Sequence, residues 1–103
     1  MTTEVLRVTI AELCTRTGCS QRLLIELVAC EVASPVAGSG AEDWEFDATG
    51  ARWLQTAARL TRDLELDADT TALVVSLLRE RDSLTAELDA LRRRLARFLA
   101  ADE

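Results

Sequence analysis

The chain has 103 residues, 49% hydrophobic and 29% charged, with a formal net charge of −6. That length supports one small domain with a modest core, and the composition is that of a folded soluble chain rather than a disordered one. All 12 basic residues are arginines, and the acidic balance sets the average field against a polyanion such as DNA and in favour of a basic partner.

Met1 to Arg7 reads as a short extended lead-in, with Val5, Leu6 and Val8 available to pack. Thr9 followed three residues later by Glu12 is a capping box and predicts the start of a first helix. That helix buries Ile10, Leu13 and Cys14 and ends at Thr17, where Gly18 suits a left-handed cap. Ser20 then caps a second helix running to about Glu31, and two short helices across a glycine-containing turn form a helix-turn-helix.

Pro35 stops the helical pattern. The stretch "PVAGSGAEDWEF" has the punctuation of a turn between two short extended pieces, around Val36 and from Trp44 to Phe46, and reads as a two-stranded wing. Asp47 caps a third helix in which Trp53, Leu54, Ala57, Ala58, Leu60, Thr61 and Leu64 recur at helical spacing. A break at "LELDAD" follows, where Asp67 can cap the last helix.

From Ala68 onward neither glycine nor proline interrupts the chain. Val74, Leu77, Arg81, Leu84, Leu88, Leu91, Leu95 and Phe98 alternate steps of three and four, the a and d positions of a heptad repeat. Such a seam packs against another helix, in this chain or in a second copy. Its length favours a homodimer held by Leu77, Leu84, Leu88, Leu91 and Leu95, in either orientation, with Arg81 an unexplained interruption. Arg92, Arg93, Arg94 and Arg97 read as a solvated face complementing the helix dipole, with nucleic-acid contact as the alternative. The organisation is thus a winged helix-turn-helix over residues 1–66 and a long helix over 67–103, a mainly α fold.

Several function classes drop out. Histidine is absent, which removes the commonest general base and neutral metal ligand. Cys14, Cys19 and Cys30 form no CxxC pair and are one short of a tetrahedral site, so they read as packing thiols in a reducing compartment. There is no glycine-rich phosphate loop and no nucleophile with an evident base. The chain is therefore not expected to be an enzyme, to carry a metal or other cofactor, or to span a membrane, and it reads as cytoplasmic.

The order helix, turn, helix, wing, helix and long helix resembles the MerR-type winged helix-turn-helix. "TIAELCTRTGCS" is similar to that superfamily's opening, and "VASPV" to its passage from second helix to wing. The resemblance implies a DNA reader carrying Arg-Tyr-Tyr in the second helix and Arg-x-Tyr in the wing. Here Ile25, Glu26 and Leu27 stand at the first motif, and Trp44, Glu45 and Phe46 at the second. Ile25 offers neither donor nor charge to guanine or phosphate. Glu26, Glu42, Asp43 and Glu45 would repel the backbone. The fold's usual function is therefore opposed by its site, and a MerR-type transcriptional regulator is the alternative reading.

"TIAELCTRTG" with "WEFD", "RLTRDLELD" and "LRRRLARFLA" resembles the CbpM family of chaperone modulators over almost the whole chain. That resemblance implies a protein that binds the J-domain of the DnaJ-like co-chaperone CbpA, blocks its stimulation of DnaK and reduces its DNA binding. J-domains present a basic helix to DnaK, so a competitor should combine acid with apolar anchors. On this physical ground the predicted contacts are Ile25 and Trp44 as anchors, with Glu26, Glu42, Asp43 and Glu45 around them. Direct nucleic-acid binding is not expected. The plain alternative is that Ile25 and Trp44 pack into the domain and the carboxylates are ordinary surface. A second acidic cluster, Asp63, Glu65, Asp67 and Asp69, reads better as capping at the last helix junction.

Overall fold

A computed structural model describes residues 6–101; Met1 to Val5 of the predicted lead-in lie outside the described residues. The elements run β1 (Arg7–Thr9), α1 (Ile10–Thr17), α2 (Gln21–Ala29), a 3-10 turn (Ala41–Asp43), β2 (Glu45–Asp47), α3 (Ala48–Leu64) and α4 (Ala68–Ala101).

Local chemistry sets most of these boundaries. At α1 the Thr9 hydroxyl accepts from the Glu12 N–H at 3.2 Å, and the Glu12 carboxylate accepts from the Thr9 N–H at 3.4 Å. The two groups satisfy donors that the first helical turn would otherwise leave unpaired. Gly18 ends the helix at φ 72°, a left-handed conformation that costs a side chain about 1–2 kcal/mol. Ser20 caps α2 through the Leu23 N–H at 3.2 Å. This helix stops at Ala29, two residues short of the expected end, because Glu31 turns left-handed at φ 67°. The Glu31 and Val32 N–H groups then reach back to the Val28 and Leu27 carbonyls, each at 3.0 Å. This is a Schellman closure with a glutamate where glycine is usual. Asp47 caps α3 through the Gly50 N–H at 2.7 Å, and Asp67 caps α4 through the Thr70 N–H at 2.7 Å.

The sheet differs from the expected wing in its partners. β2 pairs antiparallel with β1, placing Arg7 opposite Asp47, Val8 opposite Phe46 and Thr9 opposite Glu45. The expected pairing of the Val36 stretch survives as a single bridge between Ala37 and Glu45. Val8 and Phe46, facing each other and both buried, explain the preference: the ladder that buries an aromatic against a β-branched residue gains most. Gly38 closes the wing at φ 110°, and a Cβ there would overlap the Asp43 carbonyl and lie 2.9 Å from the Trp44 Cα. No other residue fits that turn unstrained.

The core gathers Val8, Ile10 and Leu13 with Leu24, Leu27, Val32, Phe46, Leu54 and Val75. Ala51, Ala57 and Ala58 bring α3 close to its neighbours. Cys14 is half-buried rather than buried, and Leu6 and Leu64 are exposed rather than packed. Packing crosses the α3–α4 junction: Thr71 and Val75 are fully buried, and the Thr71 and Thr61 hydroxyls meet at 3.0 Å. Thr61 also bonds the Ala57 carbonyl at 2.9 Å, so the buried hydroxyls are satisfied. One turn later the Arg79 guanidinium lies 5.1 Å over the Trp53 ring and donates to the Glu31 and Val32 carbonyls. One arginine thereby ties α4 to both α3 and the end of α2.

Beyond Arg79 the helix leaves the body. Its 34 residues span about 51 Å at the helical rise. The radius of gyration is accordingly 17.7 Å, against about 13 Å for a compact chain of this size.

Candidate partner-binding surface

The second helix holds the position that reads DNA in helix-turn-helix proteins, and its surface chemistry comes from few residues. Arg22 is its only base, with a side chain 90% exposed. Glu26, one turn later, pairs with it at 3.4 Å. The pair leaves α2 without a free cation. Ile25, beside Glu26, is half-buried against the core, so part of its surface remains available.

The wing carries the second group. Glu42 and Asp43 are exposed on the 3-10 turn, and Glu45 is half-buried in β2 between Thr9 and Ala37. Trp44 is half-buried against the core, its ring edge-on to Phe46 at 6.3 Å between centroids and 81° between planes. The indole is packed edge-on to Phe46 while the residue remains only partly buried. Each intended anchor is thus partly structural.

The two groups are not packed together. The 3-10 turn packs on α1, whereas α2 packs on α1, α3 and α4. α2 and the 3-10 turn share α1 as a neighbour, and α2 and β2 share α3. Among the described residues, no group of three or more Cys, Asp or Glu side chains is arranged to hold a metal ion.

The second acidic cluster resolves into separate local tasks. Asp67 caps α4, and its hydrogen bonds to Thr70 hold its carboxyl below the usual carboxylate range. Asp63 pairs with Arg62 at 3.5 Å, and Glu65 forms the left-handed end of α3 at φ 52°. Asp69 accepts a hydrogen bond from the Cys30 thiol at 3.2 Å. That hydrogen bond, followed by desolvation and the negative charge of Asp69, Glu26 and Asp67, pushes the thiol above its ordinary value. Cys30 is therefore kept protonated and makes a poor nucleophile.

The heptad seam is unpartnered along the free part of α4. Leu77, Leu84, Leu91 and Leu95 are 57–58% exposed, Leu88 46% and Phe98 69%. Arg81, the interruption, turns aside to Asp82, with its Nη2 at 3.0 Å from the carboxylate. The arginines 92–94 and 97 do not occupy the last turn, because the helix continues to Ala101 and its final turn has no base. The dipole acts mainly there, so it does not account for the run. Among the described residues no helix is long and apolar enough to cross a membrane.

Sequence reasoning missed a third charged feature, a pocket lined by Arg16, Thr17, Gln55, Arg59 and Arg62. The spacing of 55, 59 and 62 on one helix face was the available signal.

Comparison with known proteins agrees with this scaffold. Residues 8–93 match the model of the MerR HTH family regulatory proteins. Chaperone modulatory protein CbpM from Salmonella paratyphi B is 38% identical over 92 residues, covering 89% of this chain and 90% of the relative. The CbpM proteins of Salmonella newport and Salmonella dublin match to the same extent. The chain belongs to the CbpM family. CbpM relatives thus match 89% of this chain, which carries a MerR-type helix-turn-helix scaffold. Within this CbpM-family chain the α2 and wing positions carry carboxylates and apolar groups rather than the arginines and tyrosines of a DNA reader.

Proposed function

We propose that the protein is a chaperone modulator that binds the J-domain of a CbpA-like co-chaperone, prevents its stimulation of DnaK and limits its DNA binding. One observation carries this reading: the only base of α2 is neutralised by Glu26, and the wing beside α1 exposes Glu42 and Asp43. An acidic surface with half-open apolar groups at Ile25 and Trp44 complements a basic helix. Acid steers the encounter and the desolvated apolar centre slows escape. The description of its relatives as chaperone modulatory proteins supports the same class. Inhibition is stoichiometric: covering the basic helix removes the surface that DnaK needs.

The test is calorimetric titration of the full chain into the isolated J-domain at two salt concentrations. Saturable heat that weakens with salt is expected, and Glu26→Lys or Asp43→Lys should slow association most at low salt. No heat from a folded sample, with a duplex gel shift instead, would replace this reading with the MerR-type regulator.

The same proposal includes a homodimer through the free half of α4, with residues 1–66 as the binding body and 67–103 as the pairing helix. Glu80, Asp82, Glu87 and Asp89 precede the four arginines at 92–94 and 97. Antiparallel pairing sets acid against base along the seam. Parallel pairing would face Arg81 with its own copy at an a position, where like charges repel.

A further inference from the structure

We infer that Arg16, Arg59 and Arg62 form a receptor pocket for a carboxylate-bearing segment of a protein partner, separate from the acidic surface described above. The pocket, of about 260 Å³, lies between the C-terminal turn of α1 and the outer face of α3, with Gln55 and Thr17 completing its lining.

Three guanidinium groups around one pocket repel one another unless an anion sits among them, and this chain pairs only two of the three. Glu12 approaches Arg16 no closer than 3.9 Å, and Asp63 lies 3.5 Å from Arg62. Among the described residues Arg59 has neither an ion pair nor a hydrogen bond. Arg62 is positioned rather than free: its Nη1 donates to the Thr17 carbonyl at 3.0 Å. That bond and the Nε–H given to Asp63 at 3.5 Å use two donors of five and leave three for a ligand. The Thr17 hydroxyl donates to the Leu13 carbonyl at 2.7 Å, which fixes the opposite wall.

The chemistry favours carboxylate on protein over nucleic acid. Guanidinium forks match planar carboxylates two bonds at a time. A nucleic-acid backbone needs an extended basic track, which three arginines around one pocket do not make. A compact site takes one or two carboxylates, as a short acidic segment presents them.

The experiment uses the full chain, isotopically labelled, with the arginine Nε–Hε signals followed by NMR at low salt. The probes are hexaglutamate, inorganic phosphate and a short DNA duplex. Hexaglutamate should shift the Arg16, Arg59 and Arg62 signals together and saturably. Arg59→Glu should weaken it about tenfold or more, and Arg59→Lys less, because charge remains while the fork is lost. Three results would overturn the inference: these signals stay still, Arg22 and Arg92 shift equally, or phosphate or duplex saturates the pocket at lower concentration than the peptide. A thermal melt of each variant separates loss of binding from loss of fold. J-domain calorimetry on the same samples separates this inference from the proposed function, since the two surfaces share no residue.

Discussion

The two halves of α4 are one unbroken helix in opposite environments. Val75 is fully buried among α2 and α3, whereas Leu84, two and a half turns on, is 58% exposed. Both are apolar side chains on a regular helix, so propensity does not distinguish them. What differs is the surface opposite. The body offers α2, α3 and the Trp53 ring as far as Arg79, and then ends. The helix outlasts its support, and its remaining leucines keep the spacing of a packed seam. That apolar stripe is the surface assigned to the proposed homodimer.

The comparison breaks most severely at Val75. Val75→Asp places an unpaired carboxylate where no water or base reaches, and should cost about 4 kcal/mol or more, enough to unfold a domain this small. Circular dichroism melting checks this. The same change made twice in the free half, Leu84→Asp with Leu88→Asp, should leave the monomer folded and abolish self-association, read by sedimentation equilibrium. A double variant that remains dimeric would move the interface off the seam. An unfolded one would show that the arm supports the body.

Arg79 sits where the two halves meet, and its removal should give an intermediate effect. Arg79→Ala loses the contact over Trp53 and the bonds to the Glu31 and Val32 carbonyls. A loss of about 1–3 kcal/mol follows if those carbonyls are left partly unpaired. Tryptophan fluorescence should change with it. Arg79→Lys should recover part of the stability without the planar stack.

The regions also differ in how far the sequence disclosed them. Caps at Thr9, Ser20, Asp47 and Asp67 were legible because donor and acceptor lie three residues apart. The seam was legible because its period is local. The β1–β2 ladder was not, since it joins Val8 to Phe46 across most of the body, and the nearer Val36 stretch offered a plausible substitute. Arg79 on the α2 carbonyls, Cys30 on Asp69 and the Arg16–Arg59–Arg62 pocket are likewise products of packing between distant segments. For the acidic surface, residue types were readable but their arrangement was not: the sequence suggested one cluster, and the fold sets Glu26 on α2 and the wing acids on elements that meet it through α1 and α3.

The smallest predicted effect tests how the docked half of α4 begins. Asp67 accepts the Thr70 N–H at 2.7 Å, and its hydrogen bonds to Thr70 hold its folded pKa below the ordinary carboxylate value of 3.8. A group whose folded pKa is depressed binds fewer protons in the native chain than in the unfolded one across that interval. Its contribution is therefore complete above the unfolded value and is lost as pH falls through the lower folded value. The wild-type melting temperature should fall across this acid window, and Asp67→Asn, which keeps a capping oxygen without the titrating charge, should fall less steeply. Parallel acid limbs for the two proteins would mean that the cap works through its oxygen alone. A flatter limb for the variant would assign part of the start of α4 to a carboxylate held charged at the positive end of the helix.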